Sequence, residues 1–262
     1  MSALVERRDE LEVLHLTSFE RLGADVIVTS RVGGVSAAPY DALNLGDHVG
    51  DDPDAVRENR RRLAAVMGVG EAGVAFAHQV HGTGVEVVRG AAPLEPLGDA
   101  DVLVTNDASI AIGVLVADCV PVVLLDPVAG VLCVAHAGWR GTAARVAVSA
   151  VEAMAALGAQ PPRCRAAMGP CISPRAYQVG DDVAGALRDV GCASSVAPDG
   201  TGRHLADLAA ATRTQLLAAG LRAEHVELPT SWTDGGARHF SDRAERPCGR
   251  FALAARLRRP SS

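Results

Sequence analysis

The 262-residue chain contains no lysine, so all 25 of its basic residues are arginine. That absence excludes a Walker-type phosphate loop, a pyridoxal Schiff base and a lysine general base. Aromatic residues make up only 3% of the chain, so its core must be aliphatic. The six cysteines (119, 133, 164, 171, 192 and 248) show no CxxC spacing, which argues against a disulfide framework and fits a reducing cytoplasm. The eight histidines include no His-x-His pair, although several are needed to hold a multicopper cluster. Long apolar runs are missing too. The most apolar stretch, residues 110–125, is broken by Asp118 and Pro121 and is short for a bilayer. Residues 1–20 mix charges with single apolar residues and lack a signal-peptide core. A net charge of −6 leaves no electrostatic footprint for nucleic acid or an acidic membrane. The expectation is a cytoplasmic protein with neither as a partner.

What is present describes a globular chain, 48% hydrophobic and 21% charged, long enough for a sizeable core. Short valine- and isoleucine-rich runs at 26–28, 85–88, 110–116, 122–125, 131–135 and 226–228 predict strands. Helices are predicted from Asp52-Pro53 to Gly68, at 142–157, at 181–190 and at 204–219. No repeat or linker divides the chain. It reads as one α+β domain over residues 1–262, a single layered arrangement of mixed β-sheets flanked by helices.

Four segments are too polar or too glycine-rich for their surroundings. Ala77-His78-Gln79-Val80-His81-Gly82 leads into a strand; alternation puts the two histidines on opposite faces, so one of them should point away from any site. In Val116-Ala117-Asp118-Cys119-Val120-Pro121 an acid and a thiol interrupt buried aliphatics, as a turn would, or a nucleophile or metal ligand. His136-Ala137-Gly138-Trp139-Arg140-Gly141 joins a strand end to a helix start, where free N–H groups and Arg140 could hold an anion. Arg60 lies on the apolar stripe of Val56, Leu63 and Met67, so it needs a structural carboxylate or a ligand phosphate.

His81, Cys119 and His136 each sit at a strand edge or turn. Together they would make a three-ligand zinc site with a fourth position open, the catalytic pattern. A trigonal copper site and a metal-free Cys119–His136 hydrolase fit the same residues.

Further motifs carry a resemblance. Ser30-Arg31-Val32-Gly33-Gly34-Val35-Ser36, Tyr40, Asn44-Leu45-Gly46 and His48-Val49-Gly50-Asp51 come first. The three motifs around His81, Cys119 and His136 follow in order, then Gly169-Pro170-Cys171-Ile172. From about Thr29 onward the chain resembles the laccase-domain, or polyphenol-oxidase-like, family. Its members are described as purine nucleoside phosphorylases with adenosine deaminase and methylthioadenosine phosphorylase activities. Some bacterial members are connected with cell-wall precursor fidelity or copper oxidase activity. The resemblance implies zinc on His81, Cys119 and His136, with Asn44 and Arg60 facing the nucleoside and its phosphate. The C-terminal segment departs from the pattern. Trp232-Thr233 and Phe240-Ser241-Asp242-Arg243-Ala244 replace family motifs, whereas Gly249-Arg250-Phe251-Ala252 keeps the closing one.

The leading expectation is therefore phosphorolysis of purine nucleosides by zinc-held chemistry, with Arg60, Asn44 and Arg140 around the substrate. The alternatives are a metal-free Cys–His hydrolase acting on cell-wall precursors and a copper-dependent polyphenol oxidase.

Overall fold

The computed structural model describes residues 3–70, 73–90, 96–234 and 238–258. Two six-stranded sheets form its frame. From edge to edge the first runs Leu4–Arg8, Leu11–His15, Ala24–Thr29, Phe251–Leu257, Ala111–Val116 and Val74–Ala75. The second runs Val226–Glu227, Arg165–Met168, Val120–Asp126, Val131–Ala137, Val102–Thr105 and Val85–Val87. Both are mixed: the pairs are antiparallel except at Val74–Ala75 in the first sheet and at both outer strands of the second.

The central strands are buried on both faces, so they read in sequence as continuous aliphatic runs rather than alternating ones. Strand Val131–Ala137 shows how the layers arise. Leu132 and Val134 point into a core shared with Val26, Ile112 and Leu253 of the first sheet. Cys133, Ala135 and Ala137 face the other way, toward helices Val146–Ala156 and Leu208–Ala218. The outer face of the first sheet, with Val13, Ile27 and Ala254, is covered by Leu63 and Met67 at the end of helix Pro53–Val66. Helix, sheet, sheet and helices thus stack in layers, as the sequence predicts.

Helix Pro53–Val66 starts where its cap is written. The Asp52 carboxylate accepts the Asp54 N–H at 2.9 Å, and Pro53 occupies the first turn. Two predicted helices are corrected. The one at 142–157 is broken: Trp139–Ala143 ends at Arg145, whose φ of +69° is left-handed, and Val146–Ala156 resumes beyond it. The one at 204–219 begins as strand His204–Ala206 in a small three-stranded sheet. Its helix starts only at Leu208, capped by Asp207, which accepts the Ala210 N–H at 2.8 Å. Among the described residues no helix is long and apolar enough to cross a membrane.

Candidate metal centre and substrate cavity

The metal candidates meet at one end of the sandwich. His136 continues the inward face of Leu132 and Val134 and lies opposite Pro121 in the next strand. Cys119 sits in the short connection that carries the chain from Ala111–Val116 in the first sheet to Val120–Asp126 in the second. His81 arrives on a turn in which its own backbone is left-handed, φ +60°. The Gln79 amide pins that turn to the first sheet, donating to the Leu115 carbonyl at 2.8 Å and accepting the Leu115 N–H at 2.7 Å.

The ligand atoms of His81, Cys119 and His136 lie within 4.8 Å of one another, and Cys119 Sγ is 4.0 Å from His81 Nε2. Among the described residues this is the one such group of three or more metal-ligating side chains. His136 is buried, Cys119 partly so, and His81 faces solvent, which leaves one side open. The imidazoles stand edge to face, 4.7 Å between centroids. His78 is not in the group; its Nδ1 pairs with Asp99 at 2.8 Å, although the residue lines the cavity nearby, and it is the turn at His81, not strand alternation, that separates the two histidines.

Asp101 holds this arrangement and was not visible as a site residue in the sequence. It is 1% exposed, and its carboxylate lies 2.7 Å from His136 Nδ1, leaving Nε2 free to face the centre. The same carboxylate accepts the backbone N–H groups of Val80, His81 and Gly82 at 3.2, 3.1 and 2.6 Å. Those donors hold the Asp101 carboxyl below its ordinary range despite burial, with His136 the largest favourable influence. An acid that orients a histidine through its second nitrogen is the usual support of a metal ligand.

Gly138 makes room for the centre. A Cβ there would come within 2.9 Å of both Cys119 Sγ and His81 Cδ2, although its backbone is extended. Burial alone would push the Cys119 thiol up, but the His136 and His81 imidazoles outweigh it and bring the thiol down to about 6. Burial opposes charge on His136 as well, and the thiolate and Asp101 raise that imidazole to about 9. Each group thus favours the charged form of the other. An oriented imidazole, a second imidazole and a ready thiolate are a donor set that fits zinc or copper.

Beside this centre opens a cavity of about 870 Å³. Its lining includes Arg60, Arg140, Arg243, Arg246 and Arg250, the acids Asp47, Asp118 and Asp242, and Trp139 and Tyr177. Arg60 reaches it from helix Pro53–Val66, donating from Nε to the Leu45 carbonyl at 2.9 Å. Its Nη2 is 3.2 Å from the Asp47 carboxylate yet buried without a well-aligned hydrogen bond. Arg140 lines the wall and stacks on Trp139, inside the one-turn helix Trp139–Ala143 rather than before it.

Asn44 is placed differently from the expectation that it faces the nucleoside. It is wholly buried outside the cavity lining, and its amide is fully used. Nδ2 donates to the Gly46 carbonyl and Asp51, while Oδ1 accepts the N–H groups of Gly46 and Arg250. Asn44 therefore ties the 44–51 loop to Arg250, just before strand Phe251–Leu257. The neighbouring Asn59, unremarked in the sequence, is equally buried and binds Val35, Ser36, Ala42 and Asn44.

The divergent C-terminal segment does reach the site. Thr233 Oγ1 donates to Asp118 at 2.5 Å, and the Arg243 N–H donates to its other oxygen at 2.7 Å, so the residue before Cys119 anchors that segment. Residues 235–237 of the segment lie outside the described ones.

Two packed mixed sheets ending in an open three-ligand centre, with an arginine-lined cavity beside it, define a protein built around one candidate metal site among the described residues. A family model described as multi-copper polyphenol oxidoreductase laccase matches residues 25–258, and the chain belongs to that family. It is 43% identical to a purine nucleoside phosphorylase of Streptomyces coelicolor over 88% of this chain and 94% of that one. It is 48% identical to a purine nucleoside phosphorylase of Deinococcus radiodurans, covering 74% of each. An adenosine deaminase, RL5, from an unknown prokaryotic organism is 38% identical over 83% of this chain and 86% of its own. The crystal structure of YlmD from Geobacillus stearothermophilus superposes with a TM-score of 0.91 at 32% identity, covering 98% of this chain and 100% of that one.

Proposed function

We propose that this chain is a zinc-dependent purine nucleoside phosphorylase, with deamination of adenosine and phosphorolysis of methylthioadenosine as further activities of the same site. The observation that carries the reading is the convergence of His81, Cys119 and His136 at the edge of an arginine-lined cavity. Curated relatives named for phosphorolysis and for deamination support it.

His81, Cys119 and His136 would hold the metal, which supplies a Lewis acid and, for deamination, a means of lowering the pKa of water. The chain's own groups do the rest. Asp101 fixes the His136 ring, and Gly138 keeps the centre open. Arg60, which lines the cavity, would face the phosphate that attacks the anomeric carbon as the purine leaves. Positioning of that kind supplies much of the rate in an enclosed site. Asn44 acts at one remove, by holding the loop that carries Asp47 and His48. We place residues 1–262 in one domain and the protein in the cytoplasm, where its six free cysteines stay reduced.

The test is release of purine base from inosine, adenosine and methylthioadenosine with and without inorganic phosphate. Phosphate-dependent release supports phosphorolysis. Turnover that survives complete metal removal would instead favour a cysteine hydrolase using the Cys119–His136 pair, and catechol oxidation requiring copper would favour a polyphenol oxidase.

A further inference from the structure

A second group of cations lines the cavity and has no task in the reaction above. The Arg140 guanidinium lies 4.5 Å from the centroid of Trp139, and that of Arg243 lies 5.1 Å from Tyr177. The seat of Arg243 is fixed by other contacts. Asp118 accepts the Arg243 backbone N–H, and Arg243 Nη1 donates to the Gln178 carbonyl at 3.1 Å.

The carboxylates of the cavity are unevenly shared. Asp47 pairs with Arg60, and Asp242 pairs with Arg250 and Arg246. Asp118 is occupied by Thr233 and by a backbone N–H. Among the described residues, neither the Arg140 nor the Arg243 guanidinium has a carboxylate partner. Two exposed planar guanidiniums, each seated on an aromatic ring and lacking an internal anion, are built to receive an external one. Phosphate oxygens match their fork of donors, two N–H groups to two oxygens. The cavity, about 870 Å³, is near the upper end for small-molecule sites.

We propose that Arg140 and Arg243 form a subsite for a phosphoryl group carried by the substrate, so that the cavity takes purine nucleoside 5′-monophosphates as well as free nucleosides. The inference rests on the nucleoside reading of the cavity. It assigns the two arginines a role separate from that of Arg60, which faces the attacking phosphate.

The experiment is calorimetric titration of inosine and of inosine 5′-monophosphate in phosphate-free buffer, where phosphorolysis cannot proceed. The metal-loaded protein should bind the monophosphate about tenfold more tightly than inosine, the worth of one good charge-assisted contact. Arg243→Gln and Arg140→Gln should each erase most of that ratio, and Arg243→Lys should keep part of it. Melting curves of all variants show which are folded, and the lysine variant serves if a glutamine variant is not. Equal binding of the two ligands by the wild type overturns the proposal while leaving the nucleoside reading intact. If neither ligand binds, both fall together. A ratio that disappears in Arg60→Gln but survives in both other glutamine variants puts the phosphoryl group elsewhere and also overturns it. Inorganic phosphate titrated alone separates free from carried phosphate. Loss of its binding in Arg243→Gln, with Arg60→Gln unaffected, would make the pair a free-phosphate site and contradict the assignment.

Discussion

His136 Nδ1 lies 2.7 Å from the Asp101 carboxylate, and the same carboxylate receives the backbone N–H groups of the turn that presents His81. One buried acid therefore orients the His136 imidazole and holds the backbone turn that presents His81. Asp101→Asn keeps the volume but turns one acceptor into a donor facing N–H groups. Metal affinity, measured by chelator competition, should fall about 10- to 100-fold. Stability should drop by about 1 to 3 kcal/mol, as expected for a buried donor left without its partner. Unchanged metal affinity would show that Asp101 supports the fold alone.

Gly138→Ala tests space rather than backbone freedom, because the residue is extended and alanine adopts that conformation freely. Its Cβ would overlap Cys119 and His81, so the side chains of the centre must move apart. The expected result is lost metal binding with a stability change of no more than about 1 to 3 kcal/mol. Full metal occupancy in Gly138→Ala would mean that the centre tolerates much looser packing than the structure shows.

Thiol reactivity follows from the same contacts. In metal-free protein burial opposes the charged thiol, but the His136 and His81 imidazoles bring Cys119 down to about 6, which favours its thiolate at pH 7. Burial drives the other way at Cys133, Cys164, Cys171, Cys192 and Cys248, whose thiols are all pushed up. Iodoacetamide at pH 7 should therefore label Cys119 first, with a rate that falls as pH drops below about 6, and added zinc should block it. Peptide mapping by mass spectrometry reads the outcome; labelling spread over several cysteines contradicts it. Cys119→Ser should abolish metal-dependent turnover, whereas serine at Cys192 should leave it in place.

Arg60 looked in the sequence like a buried cation in need of a partner. The structure provides one in Asp47, but that carboxylate is 43% exposed and the Arg60 side chain 21%. A partly solvated pair contributes no more than about 1 kcal/mol, far below the cost of breaking a buried one. Arg60→Ala should therefore melt within a few degrees of the wild type while losing phosphorolysis, with adenosine deamination much less affected. A large fall in melting temperature together with loss of both activities would make Arg60 structural.

How much of this was legible depends on how local the signal was. His81, Cys119 and His136 could be picked out because each breaks a local pattern, a polar residue in a strand or at its end. The helix from Pro53 was equally plain, since its cap, its proline and its terminal glycine lie on the chain itself. Asp101 was not legible: in Gly98-Asp99-Ala100-Asp101 it looks like any turn former, and only the fold brings His136 beside it. Asn44 misled for the opposite reason. A polar residue within a motif suggests a ligand, yet its amide is consumed by Gly46 and Asp51 nearby and by the backbone N–H of Arg250, 206 residues away. The strands Leu4–Arg8 and Leu11–His15 were hidden by charges, because the first lies at a sheet edge with a face open to water. The break at Arg145 could not be read, since a left-handed arginine carries no mark in the sequence.

The most direct test of the whole account is a mass balance on inosine with ³¹P detection. Metal-loaded protein should convert inosine and inorganic phosphate into hypoxanthine and ribose 1-phosphate in a one-to-one ratio. Chelation should stop the reaction, zinc should restore it, and His136→Ala should be inactive throughout. Hypoxanthine released without consumption of phosphate, or at the same rate in the metal-free protein, would contradict the assignment of this centre to phosphorolysis.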